Sequence, residues 1–376
     1  MTDVAVIGAG VIGLSCAREL ARDGARVTVL EALPAVGHGS SARANGGFRA
    51  QFTTPVNIGF SLFSIPALVE LERVHGGLGL HQTGYLLLTG TEDGERALRA
   101  GFELQRSLGA PSTWLSPDEA LAHAPFVRPD GIRAGTFCAI DGFLDPAGVV
   151  AALREDALAA GAEILTDAAV TAAADGRVTH ARGEVAADAV VNAAGANAAD
   201  VATLFGSDLP VAPVRRNLAH VLDDAAGGEL TPMTVDLDTG VLVRREPAGG
   251  WIVAYSNPAD PPGWETSVDP RFLDDLAERV PERFPFLAEL PIDPGRCWAG
   301  LYPETPDHHA IVGQDPAAPG LFHCAGFGGH GVMHAPAAGR AIAELVLRGR
   351  CEAFDLRPLR PTRFAEGDPV VETAVL

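Results

Sequence analysis

The sequence contains no lysine, so its 28 basic residues other than histidine are all arginine. They stand against 48 aspartate and glutamate residues, which gives a formal net charge of −20. Nucleic acids and anionic membrane surfaces bind to clusters of cations, and a chain this acidic repels both. We therefore expect no nucleic acid partner and no membrane partner.

Cysteines are few, and no apolar run is long. The five cysteines are widely spaced and form no CxxC pair, which predicts free thiols in a reducing compartment and no metal site. The longest apolar run, 4–14, contains three glycines and is too short to span a bilayer. The first residues also lack the basic region of a secretory signal. We expect a cytoplasmic protein without a membrane span.

The first thirty residues have a strand–helix–strand pattern. An apolar run at 3–8 predicts a buried strand, helical spacing follows over 11–22, and 25–30 predicts a second strand. The 376 residues are 47% hydrophobic, enough for a sizeable core and about two or three domains. The chain therefore starts with the βαβ unit of a parallel sheet.

A glycine-rich turn joins the first strand to the first helix. Gly8 permits the tight turn, Gly10 leaves room for a pyrophosphate, and Gly13 lets the helix pack closely on the strand. Glu31 ends the second strand, 18 residues after Gly13, where an acid accepts hydrogen bonds from a ribose diol. This pattern predicts dinucleotide binding, although a turn that only packs is the alternative. It does not separate NAD from FAD.

The rest of the chain alternates between two kinds of sequence pattern, one typical of α/β units and one typical of antiparallel sheets. Asp145-Pro146 opens a predicted helix, and DAVVNAAG at 188–195 predicts another buried strand. Alternating, proline-rich sequence over 203–295 is typical of an antiparallel sheet. We predict an α/β fold in which a discontinuous Rossmann-like domain carries an inserted α+β substrate domain. The predicted segments are 1–85, 136–202 and 296–376 for the nucleotide-binding domain, and 86–135 and 203–295 for the substrate domain.

Three further motifs give a more specific indication. They are Ser40-Ser41 through Arg49, YPETPDHHAIVG at 302–313, and GFGGHG at 326–331. In this order the motifs resemble the D-amino-acid oxidase and glycine/sarcosine oxidase family of flavoproteins. The resemblance covers most of the chain and is weakest over 90–135 and 205–290. It implies FAD as the cofactor, held between the Rossmann-like domain and a β-rich substrate domain.

The resemblance and the glycine-rich turn together assign residues to the FAD site. A helix that begins after GFGGHG would also direct its positive N-terminal end toward the flavin. The expected FAD-binding residues are Gly8, Gly10, Val11, Ile12, Gly13, Glu31, Ser40, Ser41, Arg43, Gly46, Gly47, Gly195, Gly300, Gly326, Gly328, Gly329, His330, Gly331, Val332 and Met333.

The resemblance also implies a substrate site. Arg49 falls on the arginine that holds the substrate carboxylate in monomeric sarcosine oxidases, and a guanidinium suits a carboxylate because two N–H donors meet two oxygens. His330 is expected beside the flavin as a catalytic residue, without the role of a base. Tyr255, Tyr302 and Met333 are the remaining candidates for substrate contact. For Tyr255, packing within the sheet is the alternative.

The chain departs from these relatives at several positions. Where they attach FAD through a cysteine this chain has Gly300, and where related dehydrogenases use a histidine it has Arg43, so we expect non-covalent FAD. Met333 replaces a substrate-binding lysine. The chain also has no lysine to promote the reaction of reduced flavin with oxygen. This favours a dehydrogenase with another electron carrier, although O2 remains a candidate acceptor.

The expected function is oxidation of the C–N bond of a small amino acid, imino acid or N-alkylated amine. Hydride transfer to flavin N5 would give an imine that water hydrolyses. Three alternatives remain open: an NAD-dependent dehydrogenase, a flavin-binding subunit of a multi-subunit amino-acid dehydrogenase, and oxidation of a secondary-metabolite precursor on the same fold. A partner subunit or a homo-oligomer is compatible with each.

Overall fold

The computed structural model describes residues 1–174, 176–223 and 228–374. Within these ranges the strands are β1 (Asp3–Ile7), β2 (Arg26–Leu30), β3 (Gly47–Phe48), β4 (Tyr85–Thr89), β5 (Ser112–Leu115), β6 (Ala134–Cys138), β7 (Gly142–Phe143), β8 (Glu163–Leu165), β9 (Val170–Ala174), β10 (Arg177–His180), β11 (Gly183–Ala186), β12 (Ala189–Asn192), β13 (Ala212–Val221), β14 (Met233–Asp236), β15 (Val241–Arg245), β16 (Trp251–Tyr255), β17 (Trp298–Glu304), β18 (Ile311–Gln314) and β19 (Leu321–Ala325). The α-helices are α1 (Val11–Arg22), α2 (Pro55–His75), α3 (Glu92–Ser107), α4 (Pro117–His123), α5 (Pro146–Ala159), α6 (Ala198–Leu204), α7 (Pro270–Arg283) and α8 (Gly331–Arg348).

The Rossmann-like sheet has the strand order β18-β19-β12-β1-β2-β8, and every pair in it is parallel except β18 with β19. Helices α1 and α8 pack on one face of the sheet, where Val6 of β1 is fully buried. The other face, which includes Ala5, packs against Val178 of β10. Helix α8 crosses α1 so closely that a Cβ on Gly339 would lie 2.5 Å from the Ser15 Oγ. The predicted Rossmann-like domain is therefore present.

The larger sheet has the order β17-β13-β16-β15-β14-β4-β6-β5. It is antiparallel as expected except at its centre, where β14 and β4 run parallel. The sheet also takes strands from outside the predicted substrate segments, because β17 pairs with β13 and β6 pairs with β4. The predicted boundaries at 136 and 296 therefore cut through or exclude strands of this sheet. Small antiparallel sheets form from β9, β10 and β11 and from β3 and β7.

Helix α2 was not predicted from the sequence. It runs from Pro55 to His75, and its apolar residues face several directions, so helical periodicity is weak. Thr54 precedes Pro55 at its start, which is a helix-start signal that sequence reasoning missed. Among the described residues, no helix is long and apolar enough to cross a membrane.

Candidate functional site

A cavity of ≈ 800 Å³ lies between the two large sheets. The carboxyl ends of β1, β2, β12 and β19 open into it from one side, and β4, β13, β15 and β17 line the other side. This is where open parallel sheets bind their ligands. All of the predicted FAD-binding residues line the cavity except Gly13. Of the predicted substrate residues, it is lined by Arg49, Tyr302 and Met333 but not by Tyr255.

The turn after β1 has the geometry that a phosphate-binding turn requires. Gly8 has a φ of 102°, in the region that favours glycine. A Cβ on Gly13 would lie 1.9 Å from the carbonyl oxygen of Gly8, so only glycine lets α1 begin this close to β1. Gly13 therefore acts through packing rather than by lining the cavity. The Val11 N–H at the start of α1 donates to the Ser41 Oγ at 3.2 Å.

Glu31 is fixed in place by backbone amides. Its Oε2 accepts from the Ala9 N–H at 2.7 Å, and its Oε1 accepts from the Leu33 N–H at 2.9 Å. The carboxylate lines the cavity at the end of β2. Each oxygen keeps a further lone pair, so Glu31 can accept hydrogen bonds from a diol while it ties the two turns together.

Arg43 and Gly300 pack against each other on the other side of the cavity. The Arg43 Nη1 donates to the Ala299 carbonyl at 2.8 Å, and the Trp298 Nε1 donates to the Arg43 carbonyl at 3.0 Å. A Cβ on Gly300 would lie 2.9 Å from the Arg43 Cβ. A side chain at position 300 would therefore crowd Arg43, and glycine leaves room for it. Cys297 does not line the cavity, and its Sγ donates to the Asp293 carbonyl at 3.2 Å.

Arg49 is buried at one end of the cavity, with only 2% of its surface exposed. Its Nη1 donates to the Gln51 carbonyl and its Nη2 to the Ala374 carbonyl. Its Cζ lies 4.0 Å from the centre of the Phe52 ring. Burial lowers the pKa of Arg49, but a guanidinium stays protonated in proteins. Within the described ranges its other three N–H groups have no partner, so they can serve a ligand.

Asp141 supports the backbone that carries Arg49. It is fully buried, and its Oδ1 accepts from the Ala50 N–H at 2.7 Å. Its Oδ2 accepts from the Gln51 Nε2 at 3.2 Å. Burial raises the pKa of Asp141 to about 7, although the donors at Ala50 and Gln51 and the charge of Arg49 oppose this. Sequence reasoning did not single out Asp141, because no motif marks it.

The GFGGHG segment forms the entry to α8, and residues 326–333 line the cavity. The N-terminal end of α8 therefore places a partial positive charge at the cavity. The His330 ring meets the Phe52 ring edge-on, with 4.8 Å between their centres. Burial and the nearby charge of Arg49 hold the pKa of His330 well below its usual range, so the imidazole is neutral. His334, one turn on, hydrogen-bonds the Ser61 Oγ at 3.0 Å.

Two tyrosines and an arginine complete this end of the cavity. Burial raises the pKa of Tyr85 and of Tyr302, so both phenols stay protonated. Arg216 lies on β13 with 9% of its surface exposed, and its buried Nε has no hydrogen-bond partner among the residues that the structure describes. Sequence reasoning did not single out Arg216, because no motif marks it. The structure brings Arg216 to the cavity, whereas Arg215 bonds Asp269.

The expectation that Tyr255 contacts the substrate is wrong. It lies on β16 on the same side as Trp251 and Val253, in a core cluster away from the cavity. Its ring packs under Arg279, whose Cζ lies 4.0 Å from the ring centre. Alternation along a strand sends such residues to one face, and here that face is the core side of the sheet. The packing alternative is the correct one for Tyr255.

Over residues 3–345 the sequence matches a family of FAD-dependent oxidoreductases that is named DAO. The chain belongs to this DAO family. Among curated relatives, this DAO-family chain is 30% identical to FAD-dependent oxidoreductase domain-containing protein 1 of Xenopus laevis, over all of this chain and 85% of that protein. It is also 30% identical to the glycine oxidase of Geobacillus kaustophilus, over 96% of this chain and 97% of that one.

Solved structures agree with this assignment. The L-proline dehydrogenase of P. horikoshii superposes with a TM-score of 0.92 at 27% identity, over 98% of this chain and 99% of that one. The glycine oxidase of Geobacillus kaustophilus superposes with a TM-score of 0.83 at 28% identity, over 96% and 99%. The expected family, the α/β fold class and FAD as cofactor are therefore confirmed, and the DAO-family chain is an FAD-dependent oxidoreductase.

The cavity of this DAO-family chain fits FAD. The N-cap residue of α1 is Gly10, which has no side chain to cover the helix start, and the backbone there lines the cavity, where it can receive a pyrophosphate. Side chains at several glycines that line the cavity would collide with their surroundings. A Cβ on Gly47 would lie 2.0 Å from the Tyr85 hydroxyl, and a Cβ on Gly329 would lie 2.6 Å from the Tyr302 ring. The volume of ≈ 800 Å³ lies in the range of cavities that enclose whole ligands.

Proposed function

We propose that the protein oxidises the C–N bond of a small amino or imino acid, or of an N-alkylated amino acid, to an imine that is then hydrolysed. The observation that carries the proposal is Arg49: a buried guanidinium on the FAD cavity that keeps three N–H groups for a ligand. Among its relatives are proteins described as glycine oxidase and L-proline dehydrogenase, whose substrates are small amino acids with a carboxylate. Bound FAD would supply the acceptor for a hydride, which carries both electrons of the oxidation.

Arg49 would bind the carboxylate of the substrate. Two of its free N–H groups can meet two carboxylate oxygens, and the low polarity around Phe52 strengthens that interaction. The rigid loop behind Arg49, tied to Asp141, fixes the direction of the guanidinium. Holding one end of the substrate in this way orients its α-carbon and lowers the entropic part of the barrier.

The remaining groups of the site favour a neutral amine. His330 is neutral, and the phenols of Tyr85 and Tyr302 keep their protons, so none of them contributes a negative charge that would stabilise an ammonium group. A substrate amine next to Arg49 therefore releases its proton more readily than in water. Its nitrogen lone pair is then available to stabilise the cation that becomes the imine. No side chain is required as a strong base.

Loops and helix entries would hold FAD without a covalent bond. Glu31 would accept from the ribose, the turn 8–13 would receive the pyrophosphate, and 326–333 would face the flavin. Gly300 stands where attachment would need a cysteine, and Cys297 points to the backbone of Asp293.

The first experiment is an absorption spectrum of the purified chain before and after acid precipitation. Flavin bands in the supernatant are expected, and bands in the pellet would refute non-covalent binding.

The substrate assignment is tested by anaerobic reduction of the bound flavin. We expect glycine, its N-methyl derivatives or proline to bleach the flavin band, and Arg49→Met to raise KM about 100-fold with a smaller change in kcat. The matched control is Arg350→Met, because Arg350 is an exposed partner of Glu352. If no amine bleaches the band, or if Arg49→Met leaves KM unchanged, the assignment of Arg49 is wrong.

The electron acceptor is proposed to be a carrier other than O2. A fixed cation such as lysine beside the flavin would stabilise developing superoxide, and the chain has no lysine. We expect turnover with an artificial dye acceptor to exceed oxygen consumption clearly. Equal rates with O2 and with the dye would contradict the proposal and assign an oxidase.

A further inference from the structure

We infer that Glu372, in the last described segment of the chain, is a positioning residue for Arg49. The segment 369–374, here called the C-terminal segment, reaches the site from more than 300 residues away and holds the guanidinium in place for the substrate carboxylate. The inference rests on the proposed function, because it assigns Arg49 a substrate to position.

Glu372 is a fully buried carboxylate with an unusually complete set of donors. Its Oε1 accepts from the Thr53 N–H at 2.9 Å and from the Thr53 hydroxyl. Its Oε2 accepts from the Thr54 hydroxyl at 2.7 Å and from the Asn57 Nδ2 at 2.9 Å. These hydrogen bonds hold the pKa of Glu372 below its usual range even though burial opposes this, so it remains charged. Glu372 is thereby fixed to the start of α2.

The same carboxylate shapes the backbone that touches Arg49. The Ala374 N–H donates to the Glu372 Oε1 at 3.0 Å, so the side chain of Glu372 is bonded to the backbone two residues further on. The carbonyl of Ala374 then accepts from the Arg49 Nη2. The other terminal nitrogen, Nη1, is held by the Gln51 carbonyl. Glu372 therefore reaches Arg49 through Ala374 on one side, while Gln51 holds the guanidinium on the other.

Charge adds to this support without blocking the guanidinium. Glu372 and Asp141 are the carboxyl groups that, when ionised, act favourably on Arg49, yet in the described part of the chain neither forms an ion pair with it. A direct ion pair would occupy the N–H groups that a substrate carboxylate needs. Neutral carbonyls fix the direction of Arg49, and the nearby carboxylates offset part of the cost of burying its charge.

The C-terminal segment is itself firmly held. The Glu372 N–H donates to the Asp307 carbonyl at 3.1 Å. Asp307 pairs with the fully buried Arg363, whose Nε and Nη2 donate to it at 2.7 and 2.8 Å. His309 hydrogen-bonds the Thr54 hydroxyl at 2.9 Å. The position of Glu372 is therefore determined by residues after α8, by 307–309 and by α2 together.

The test compares Glu372→Ala, Glu372→Gln and the control Glu366→Gln in the FAD-loaded protein. Glu366 is an acid of the same region, but it is exposed and pairs with Arg360. We expect Glu372→Ala to raise KM for the amino acid substrate about 10- to 100-fold while kcat changes less than about threefold, since hydrogen bonds to charged groups are of this strength. Glu372→Gln keeps the acceptor at one oxygen and should restore part of the loss.

A binding measurement makes the test independent of turnover. Acetate carries only the carboxylate, and its binding is followed by the change in the flavin absorption band. We expect acetate to bind at least about tenfold more weakly to Glu372→Ala and equally well to Glu366→Gln, with FAD affinity unchanged in both. Unchanged acetate binding in Glu372→Ala and Glu372→Gln would overturn the inference, as would an equal loss of acetate and FAD binding. If the unaltered protein oxidises no amine and binds no acetate, the proposed function fails instead.

Discussion

Asp141 makes the stability of the protein depend on pH in an uncommon direction. Most carboxyl groups of folded proteins have an ordinary or lowered pKa, but burial raises that of Asp141 to about 7. The folded protein therefore keeps this proton over a range in which the unfolded chain, with a pKa of about 3.9, has lost it. The stabilisation from the bound proton is fully present below about pH 4 and is lost as the pH rises to 7.

The magnitude follows from the shift. Three pKa units at about 1.4 kcal/mol each give about 4 kcal/mol as an upper bound, and about 2 kcal/mol of it falls between pH 5 and pH 7. Asp141→Asn removes the titration but keeps an oxygen for the Ala50 N–H. The variant should therefore lose less stability than the unaltered protein when the pH is raised from 5 to 8.

Urea unfolding of the FAD-loaded proteins at pH 5, 6, 7 and 8 measures this directly. We expect the difference in unfolding free energy between Asp141→Asn and the unaltered protein to shift in favour of the variant by about 3 kcal/mol from pH 5 to pH 8. Asp355→Asn is the control, because Asp355 is exposed. Parallel pH dependences for the unaltered protein and Asp141→Asn would refute the reasoning, because Asp141 would then be ionised throughout.

Three further predictions concern other parts of the molecule. Gly13→Ala should abolish FAD retention on gel filtration, since its Cβ would lie 1.9 Å from the Gly8 carbonyl oxygen. Arg363→Met should lower the free energy of unfolding by about 3–5 kcal/mol in urea, because Asp307 would be left buried and unpaired; a loss below 1 kcal/mol would contradict this. His330→Gln should lower kcat less than about tenfold and leave the pH profile unchanged, since removal of a general base costs about 10²–10⁴-fold.

Local patterns in the sequence predicted the parts of the fold that depend on neighbouring residues. The strand–turn–helix unit around Gly8 and the acid at Glu31 follow from short-range rules: a positive φ, a close helix–strand contact and a carboxylate at a strand end. Helix α5 begins at Pro146, where the sequence predicts a helix start, because Asp145 and Pro146 are a strong start signal.

Contacts between distant segments could not be predicted in this way. Nothing in the aperiodic tail marks Glu372 as the partner of Thr54, because the burial that makes the contact strong exists only after folding. Tyr85 was likewise overlooked, since a tyrosine at the start of an apolar strand is usually a packing residue. Tyr255 was wrongly expected at the substrate site. Alternation along a strand predicts which residues share a face of the sheet, but it does not predict which face meets the cavity.

The single parallel pairing in the larger sheet has a consequence for how the chain folds. Strands β4, β5 and β6 come from residues 85–138, whereas β13 to β17 come from residues 212–304, and among the described strands only the ladder of β4 with β14 joins the two halves. The Rossmann-like sheet similarly pairs β1 with β12 and then β19. Such a high contact order predicts slow folding, because distant segments must meet before either sheet is complete. On the ribosome, β1 can pair with β2 early, but its other edge stays open until β12 (189–192) has emerged, and the sheet is complete only after β19 ends at residue 325. Open strand edges are exposed to aggregation in the meantime.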